Sequence, residues 1–160
     1  MSKQKILVKD IMITKVQCVD ELHSVIDVCK LMSKYNIGAI IVQSSSEVLS
    51  AKSVGIFTER DLMKKVISTN SDINKPVKDF MTKDFKTLDL EHKVSEIPYT
   101  LTEGYFRHLP VMQQDKLMGI ISIKDIIRVH LNSEMEGLKI GTGKIRDIVG
   151  LDEIHESLKL

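Results

Sequence analysis

GIFTERDL, residues 55–62, joins two kinds of structure at one residue. Gly55-Ile56-Phe57 is short, apolar and suited to a strand, whereas Glu59-Arg60-Asp61-Leu62 has the character of a first helical turn. Thr58 stands at the joint, with Asp61 three residues on. A hydroxyl followed three residues later by an acid is the capping-box pattern, although Glu or Gln is the usual partner. Two interpretations follow. Thr58 and Asp61 tie down backbone amides only, or a hydroxyl, an arginine and a carboxylate at a strand-to-helix turn hold a ligand.

The stretch occurs twice. GIFTERDLMKKVI at 55–67 aligns with GIISIKDIIRVHL at 119–131. Upstream, VKDIM at 8–12 returns as VKDFM at 77–81, and Asp20, His23, Val25 and Val42 fall on Asp89, His92, Val94 and Val111. The two offsets differ by five residues, and the difference has a place: Gln43 to Lys52 is ten residues long and serine-rich, whereas Met112 to Lys116 has five. Length changes of this kind belong in surface hairpins. One structural unit is thus used twice.

Each unit predicts the same order. A short helical turn, KDIM or KDFM, comes first. A helix follows, with Leu22, Val25, Cys29 and Met32 on one face. Next come a strand over Ile37 to Val42, or Phe106 to Met112, and a second over Ser53 to Phe57, or Leu117 to Ile121. A closing helix spans Glu59 to Ser68, or Ile123 to Leu138. In the second unit Pro98 should kink or shorten the helix expected at about 92–104. The units cover 6–68 and 77–138, with a linker at 69–76 and a tail at 139–160. In the tail, Gly141 to Gly143 should break the helix, and Ile145, Ile148, Val149, Ile154 and Leu158 suit a short amphipathic helix, packed on its own domain or across a dimer. A β-α-β-β-α unit of this size is marginal alone. Two can bury their sheets against each other around a pseudo-two-fold axis, giving an α+β (mixed α/β) fold.

The totals narrow the function. Of 160 residues, 23 are Lys or Arg and 22 are Asp or Glu, a net charge of +1. That balance gives no general attraction for nucleic acid or anionic membranes. No apolar run approaches the roughly 20 residues needed to span a bilayer, and MSKQKILVKDIM lacks a secretory apolar core. Cys18 and Cys29 are expected to be buried free thiols in a reducing cytoplasm. There is no Walker loop, no HxxxH or HExxH spacing, and no nucleophile with a base close in sequence. No catalysis and no metal are expected.

The twin turns carry the remaining chemistry. Thr58-Glu59-Arg60-Asp61 aligns with Ser122-Ile123-Lys124-Asp125: hydroxyl first, cation third, acid fourth. Capping explains the hydroxyl and the acid. It does not explain a cation in a first helical turn, where negative charge suits the dipole better. A phosphate explains the cation, and two ribose hydroxyls suit the carboxylate. Both interpretations stay open. Arg107 and His108 occupy the places of Gly38 and Ala39 and are expected in mid-strand, where Arg107 would need a protein carboxylate or a ligand phosphate.

DIM…GIFTERD and DFMT…FRHLPV…GIISIKD resemble the two halves of the cystathionine-β-synthase (CBS) domain pair, or Bateman module, over residues 6 to 132. The likeness is strongest to stand-alone bacterial CBS-pair proteins, whose second half runs close to GRFRHLPV…GIVSIGD; here it is GYFRHLPV and GIISIKD. The resemblance implies two units packed through their sheets, with clefts between them that bind AMP, ADP, ATP, NAD(H) or S-adenosylmethionine. It implies an energy or redox-state sensor in signal transduction, a homodimer, and an unknown regulated protein; the alternative is a ligand-free scaffold. By the same resemblance Asp61 and Asp125 take ribose hydroxyls, and Thr58, Arg60, Ser122, Lys124, Arg107 and His108 face phosphate. Backbone near Gly38-Ala39 and His108 to Pro110 frames adenine. The second-repeat cleft (Thr87, Arg107, His108, Leu109, Pro110, Ser122, Lys124, Asp125) is the richer in cations and the expected site. The first comprises Cys18, Ile37, Gly38, Ala39, Thr58, Arg60 and Asp61. It departs from the pattern with Cys18 in the place of Thr87, and Ile13 likewise stands where the second copy has Thr82.

Overall fold

The computed structural model describes residues 6–44, 53–97 and 107–138. The first unit contains α1 (Val8–Ile11), β1 (Cys18–Asp20), α2 (Val25–Tyr35), β2 (Ala39–Gln43), β3 (Ser53–Thr58) and α3 (Glu59–Asp61), which widens into a π-helical stretch, Leu62–Ile67. The second contains a 3₁₀ turn (Val77–Asp79), β4 (Leu88–Asp89), another 3₁₀ turn (Val94–Glu96), β5 (His108–Gln113), β6 (Lys116–Ser122) and α4 (Ile123–Leu138). Two three-stranded sheets result, ordered β1-β2-β3 and β4-β5-β6, and in each the first pair is parallel and the second antiparallel.

Local chemistry sets these limits. The Ser24 hydroxyl accepts from the Asp27 amide at 3.2 Å and starts α2. Asn36, left-handed at φ 50°, ends it. Val25, Val28 and Met32 form its buried face. Leu22, expected on that face, lies in the preceding turn and is 59% exposed, because the helix begins only after the Ser24 cap. The β5–β6 hairpin closes on Gln114 and Asp115, both at positive φ, which matches the right-handed twist of the flanking strands.

The two opening segments are exchanged. The Val8 amide donates to the His92 carbonyl at 2.9 Å, and the Val77 amide to the His23 carbonyl at 2.8 Å. Val8 is therefore buried with Leu88, Val94, Leu109 and Ile121 of the second unit. Val77, Phe80 and Met81 are buried with Val25, Ile40 and Phe57 of the first. The exchange continues in the sheets: Thr82 bridges Ile56 and Ile13 bridges Ile120. It explains the leading glycine of the repeated motif. A Cβ on Gly55 would lie 2.4 Å from the Met81 sulfur, and one on Gly119 would lie 2.6 Å from the Met12 sulfur and 2.9 Å from the Ile13 carbonyl oxygen. A third core, Ala39, Ile41 and Ile56 against Leu117 and Ile120, joins the sheets face to face.

Several expectations shift. Arg107 lies in an exposed bend before β5, not in mid-strand, because β5 begins one residue later at His108. Both cysteines are free, but Cys18 is exposed and Cys29 only half-buried. Pro98, Phe106 and the tail at 139–160 lie outside the described residues. Among the described residues no helix is long and apolar enough to cross a membrane.

Candidate functional site

Each strand-to-helix turn is docked against the start of the neighbouring strand. The register pairs Ala39 with Thr58 and His108 with Ser122. The Glu59 amide donates to the Gly38 carbonyl at 3.1 Å, and the Ile123 amide to the Arg107 carbonyl at 2.9 Å. Antiparallel pairing thus brings GIFTERD beside Gly38-Ala39 and GIISIKD beside Arg107-His108. The sequence-distant parts of each expected cleft meet for this reason.

Both turns form reciprocal caps. In the first, the Asp61 amide donates to the Thr58 hydroxyl at 3.2 Å, and the Thr58 amide donates to Asp61 Oδ2 at 3.0 Å. In the second, the same two bonds measure 3.3 and 3.2 Å between Ser122 and Asp125. Each hydroxyl also donates to its carboxylate, Thr58 at 2.7 Å and Ser122 at 2.5 Å. The capping interpretation therefore holds in both copies.

The other carboxylate oxygen separates them. Asp61 Oδ1 accepts from the Thr82 hydroxyl at 2.9 Å and pairs with Lys65 Nζ at 2.7 Å. Lys65 also donates to the Thr82 hydroxyl at 2.9 Å. Asp61 is only 7% exposed, so this closed network is what makes its burial tolerable. Among the described residues Asp125 Oδ1 has only the Arg128 guanidinium, 3.7 Å away on a largely exposed side chain, too far for a hydrogen bond. The partners of Asp61 are missing there because Ile13 occupies the place of Thr82 and Val129 that of Lys65. Neither Thr82 nor Lys65 belongs to the repeated turn. The expectation that Ile13 marks the first cleft is corrected by the exchange of opening segments, which puts Thr82 beside Ile56 and Ile13 beside Ile120; the remaining signal was a lysine four residues after the acid.

Around Asp125 the other expected residues gather unevenly. Burial pushes the His108 imidazole below the ordinary histidine value. The Glu59 and Asp125 carboxylates oppose that shift, whereas Arg107 and Lys124 add to it. His108 therefore lies within the field of all four. A Cβ on Gly38 would lie 3.2 Å from the Glu59 carboxylate and 3.5 Å from the His108 ring, so these two side chains converge over the glycine. Lys124 and Arg107 are exposed. The Leu109 side chain is in the second core and leaves only its backbone towards a ligand. Pro110 is buried opposite Ile120. Ile37 packs on the first core and Ala39 in the third. Thr87 and Cys18 are exposed just before β4 and at the start of β1, and Arg60 is exposed in α3. The His92 ring accepts from the Asp89 amide at 3.4 Å, a turn-capping role. Among the described residues no group of His, Cys, Asp and Glu is arranged to hold a metal ion.

Two copies of a capped turn, each docked on the strand that precedes it, match one family. Residues 8–68 and 77–132 correspond to the CBS domain. The chain belongs to the CBS-domain family. It is similar to an uncharacterized 17.7 kDa protein of Acidianus ambivalens, 34% identical over 91% of this chain and 89% of that one. Among solved structures it is similar to a putative signal-transduction protein with CBS domains from Burkholderia ambifaria. The TM-score is 0.71 at 29% identity, covering 79% of this chain and 95% of that one. A further CBS domain pair, solved in complex with 5′-methylthioadenosine and S-adenosyl-L-methionine, shares the fold. Its TM-score is 0.70 at 23% identity, over 80% of this chain and 98% of that one.

Proposed function

We propose that this CBS pair is a non-catalytic regulatory module, acting in the cytoplasm, that binds an adenine nucleotide in the cleft around Asp125. The observation that carries this is Oδ1 of Asp125, which among the described residues accepts no hydrogen bond, beside a serine-capped helix start and within reach of the charges around His108. A carboxylate oxygen of this kind accepts the hydroxyls of a ribose. The amides of the helix start, with Lys124, Arg107 and His108, suit its phosphates. The adenosine compounds bound by the related pair support the ligand class. AMP, ADP, ATP and NAD(H) share that ribose and phosphate chemistry.

The same proposal includes a homodimer. Met63 and Ile67 are exposed on the helical segment after Asp61, and Ile127 and Leu131 are exposed at the equivalent positions of α4. A second copy would cover both apolar pairs.

Melting in millimolar AMP, ADP, ATP, NADH or S-adenosylmethionine tests the ligand. At about 100 times its dissociation constant, a ligand should add roughly 2.7 kcal/mol to stability. Asp125→Ala should remove most of that shift while the protein still melts cooperatively. No shift with any of the five sinks the proposal.

A further inference from the structure

We infer that the first cleft is occupied from within: Lys65 and Thr82 stand on Asp61 where a ribose would, so the chain takes one nucleotide and not two. The inference rests on the proposed ribose–carboxylate contact at Asp125.

The geometry is that of a ligand mimic. A ribose offers a carboxylate two neighbouring hydroxyl donors. Asp61 Oδ1 already has two neighbouring donors, the Thr82 hydroxyl at 2.9 Å and the Lys65 ammonium at 2.7 Å, themselves 2.9 Å apart. Oδ2 is taken by the Thr58 amide and hydroxyl. A carboxylate accepts at about four lone-pair positions, and all four are filled. An incoming ribose would have to displace an ion pair made to a carboxylate that is 7% exposed. The Asp61 end of that pair is buried while Lys65 is half-buried, and a buried carboxylate is costly to leave without its cation.

Two features outside the repeated motif build the mimic. The exchanged opening segment brings Thr82 to β3 through paired backbone bonds with Ile56 of 3.0 and 2.8 Å. The widened turn Leu62–Ile67, with its bonds from Ser68 to Met63 and from Ser71 to Val66, carries Lys65 beside Asp61. In the second repeat α4 keeps α-helical register and Ile13 brings no donor.

Isothermal titration with AMP and, in parallel, NADH tests this. The wild type should take one equivalent per chain, lost in Asp125→Ala. Lys65→Met keeps the aliphatic stem and removes one donor, and should add a second equivalent that disappears when Asp61→Asn is included. Thr82→Val removes the other donor and serves if Lys65→Met does not melt cooperatively. Two equivalents on the wild type would overturn the inference. So would a single equivalent on folded Lys65→Met and Thr82→Val that is still lost in Asp125→Ala, which leaves the Asp125 proposal standing. Binding of AMP, ADP, ATP, NADH and S-adenosylmethionine to neither the wild type nor the variants defeats both.

Discussion

Asp61 and Asp125 occupy the same place in two copies of one motif, yet among the described residues the first takes four donors and the second two at hydrogen-bond distance. The motif residues do not account for the difference, since the cap is made in both. It comes from outside: a hydroxyl at Thr82 against an alkyl side chain at Ile13, and a lysine at 65 against a valine at 129. A motif fixes where a carboxylate sits. Its neighbours decide whether the carboxylate is spent on the fold or left for a ligand.

Stability is where the comparison should break most visibly. Asp61→Ala leaves the Thr58 amide, the Thr82 hydroxyl and a half-buried Lys65 without their acceptor. Urea unfolding should show a loss of about 3 kcal/mol. Asp125→Ala removes a cap from a more open site and should cost about 1 kcal/mol. Equal losses would mean that the extra partners of Asp61 contribute nothing.

The motif glycines give a smaller contrast. A Cβ on Gly55 collides chiefly with the flexible Met81 side chain and stays 3.2 Å from the Thr82 carbonyl oxygen. A Cβ on Gly119 also comes within 2.9 Å of the Ile13 backbone, which must then move. Gly119→Ala should cost about 2–3 kcal/mol and Gly55→Ala about 1 kcal/mol. The same unfolding curves test the order. A larger loss at Gly55 would show that Met81 yields less readily than backbone.

Much of this was legible in the sequence, for local reasons. Periodicity located α2, apolar runs located β2, β3, β5 and β6, and the five-residue difference in repeat spacing located the two hairpins; β1 and β4, three and two residues long, are too short to carry such a run. The hydroxyl and acid at each turn located both caps. What escaped was long-range. VKDIM and GIISIKD are complementary through Met12 and Gly119, but both parts recur in both units, so sequence alone could not say which copy meets which. Arg107 was expected in mid-strand because Phe106 to Met112 is mostly apolar, yet β5 starts at His108 and leaves the guanidinium exposed. Leu22 has helical spacing from Val25 but precedes the Ser24 cap, which a spacing argument ignores.

The finest contrast lies at His108, which stands where the first repeat has Ala39. Burial holds the imidazole below its ordinary value, with Arg107 and Lys124 pushing the same way and Glu59 and Asp125 opposing. The unfolded chain therefore protonates this histidine before the folded one does. Stability should fall as pH drops from the ordinary histidine value towards the depressed one, and should rise again with pH. His108→Gln should flatten that part of the urea midpoint against pH. A bound phosphate reverses the balance, because its negative charge favours the imidazolium. Nucleotide binding should then take up a proton, and affinity should rise on acidification through the same window. A ligand without phosphate should show no such rise. AMP and adenosine titrated side by side across that window, on wild type and His108→Gln, separate the cases. An AMP affinity that is flat with pH, or a slope that survives the substitution, would remove His108 from the phosphate side of the cleft and leave the ribose contact at Asp125 to stand alone.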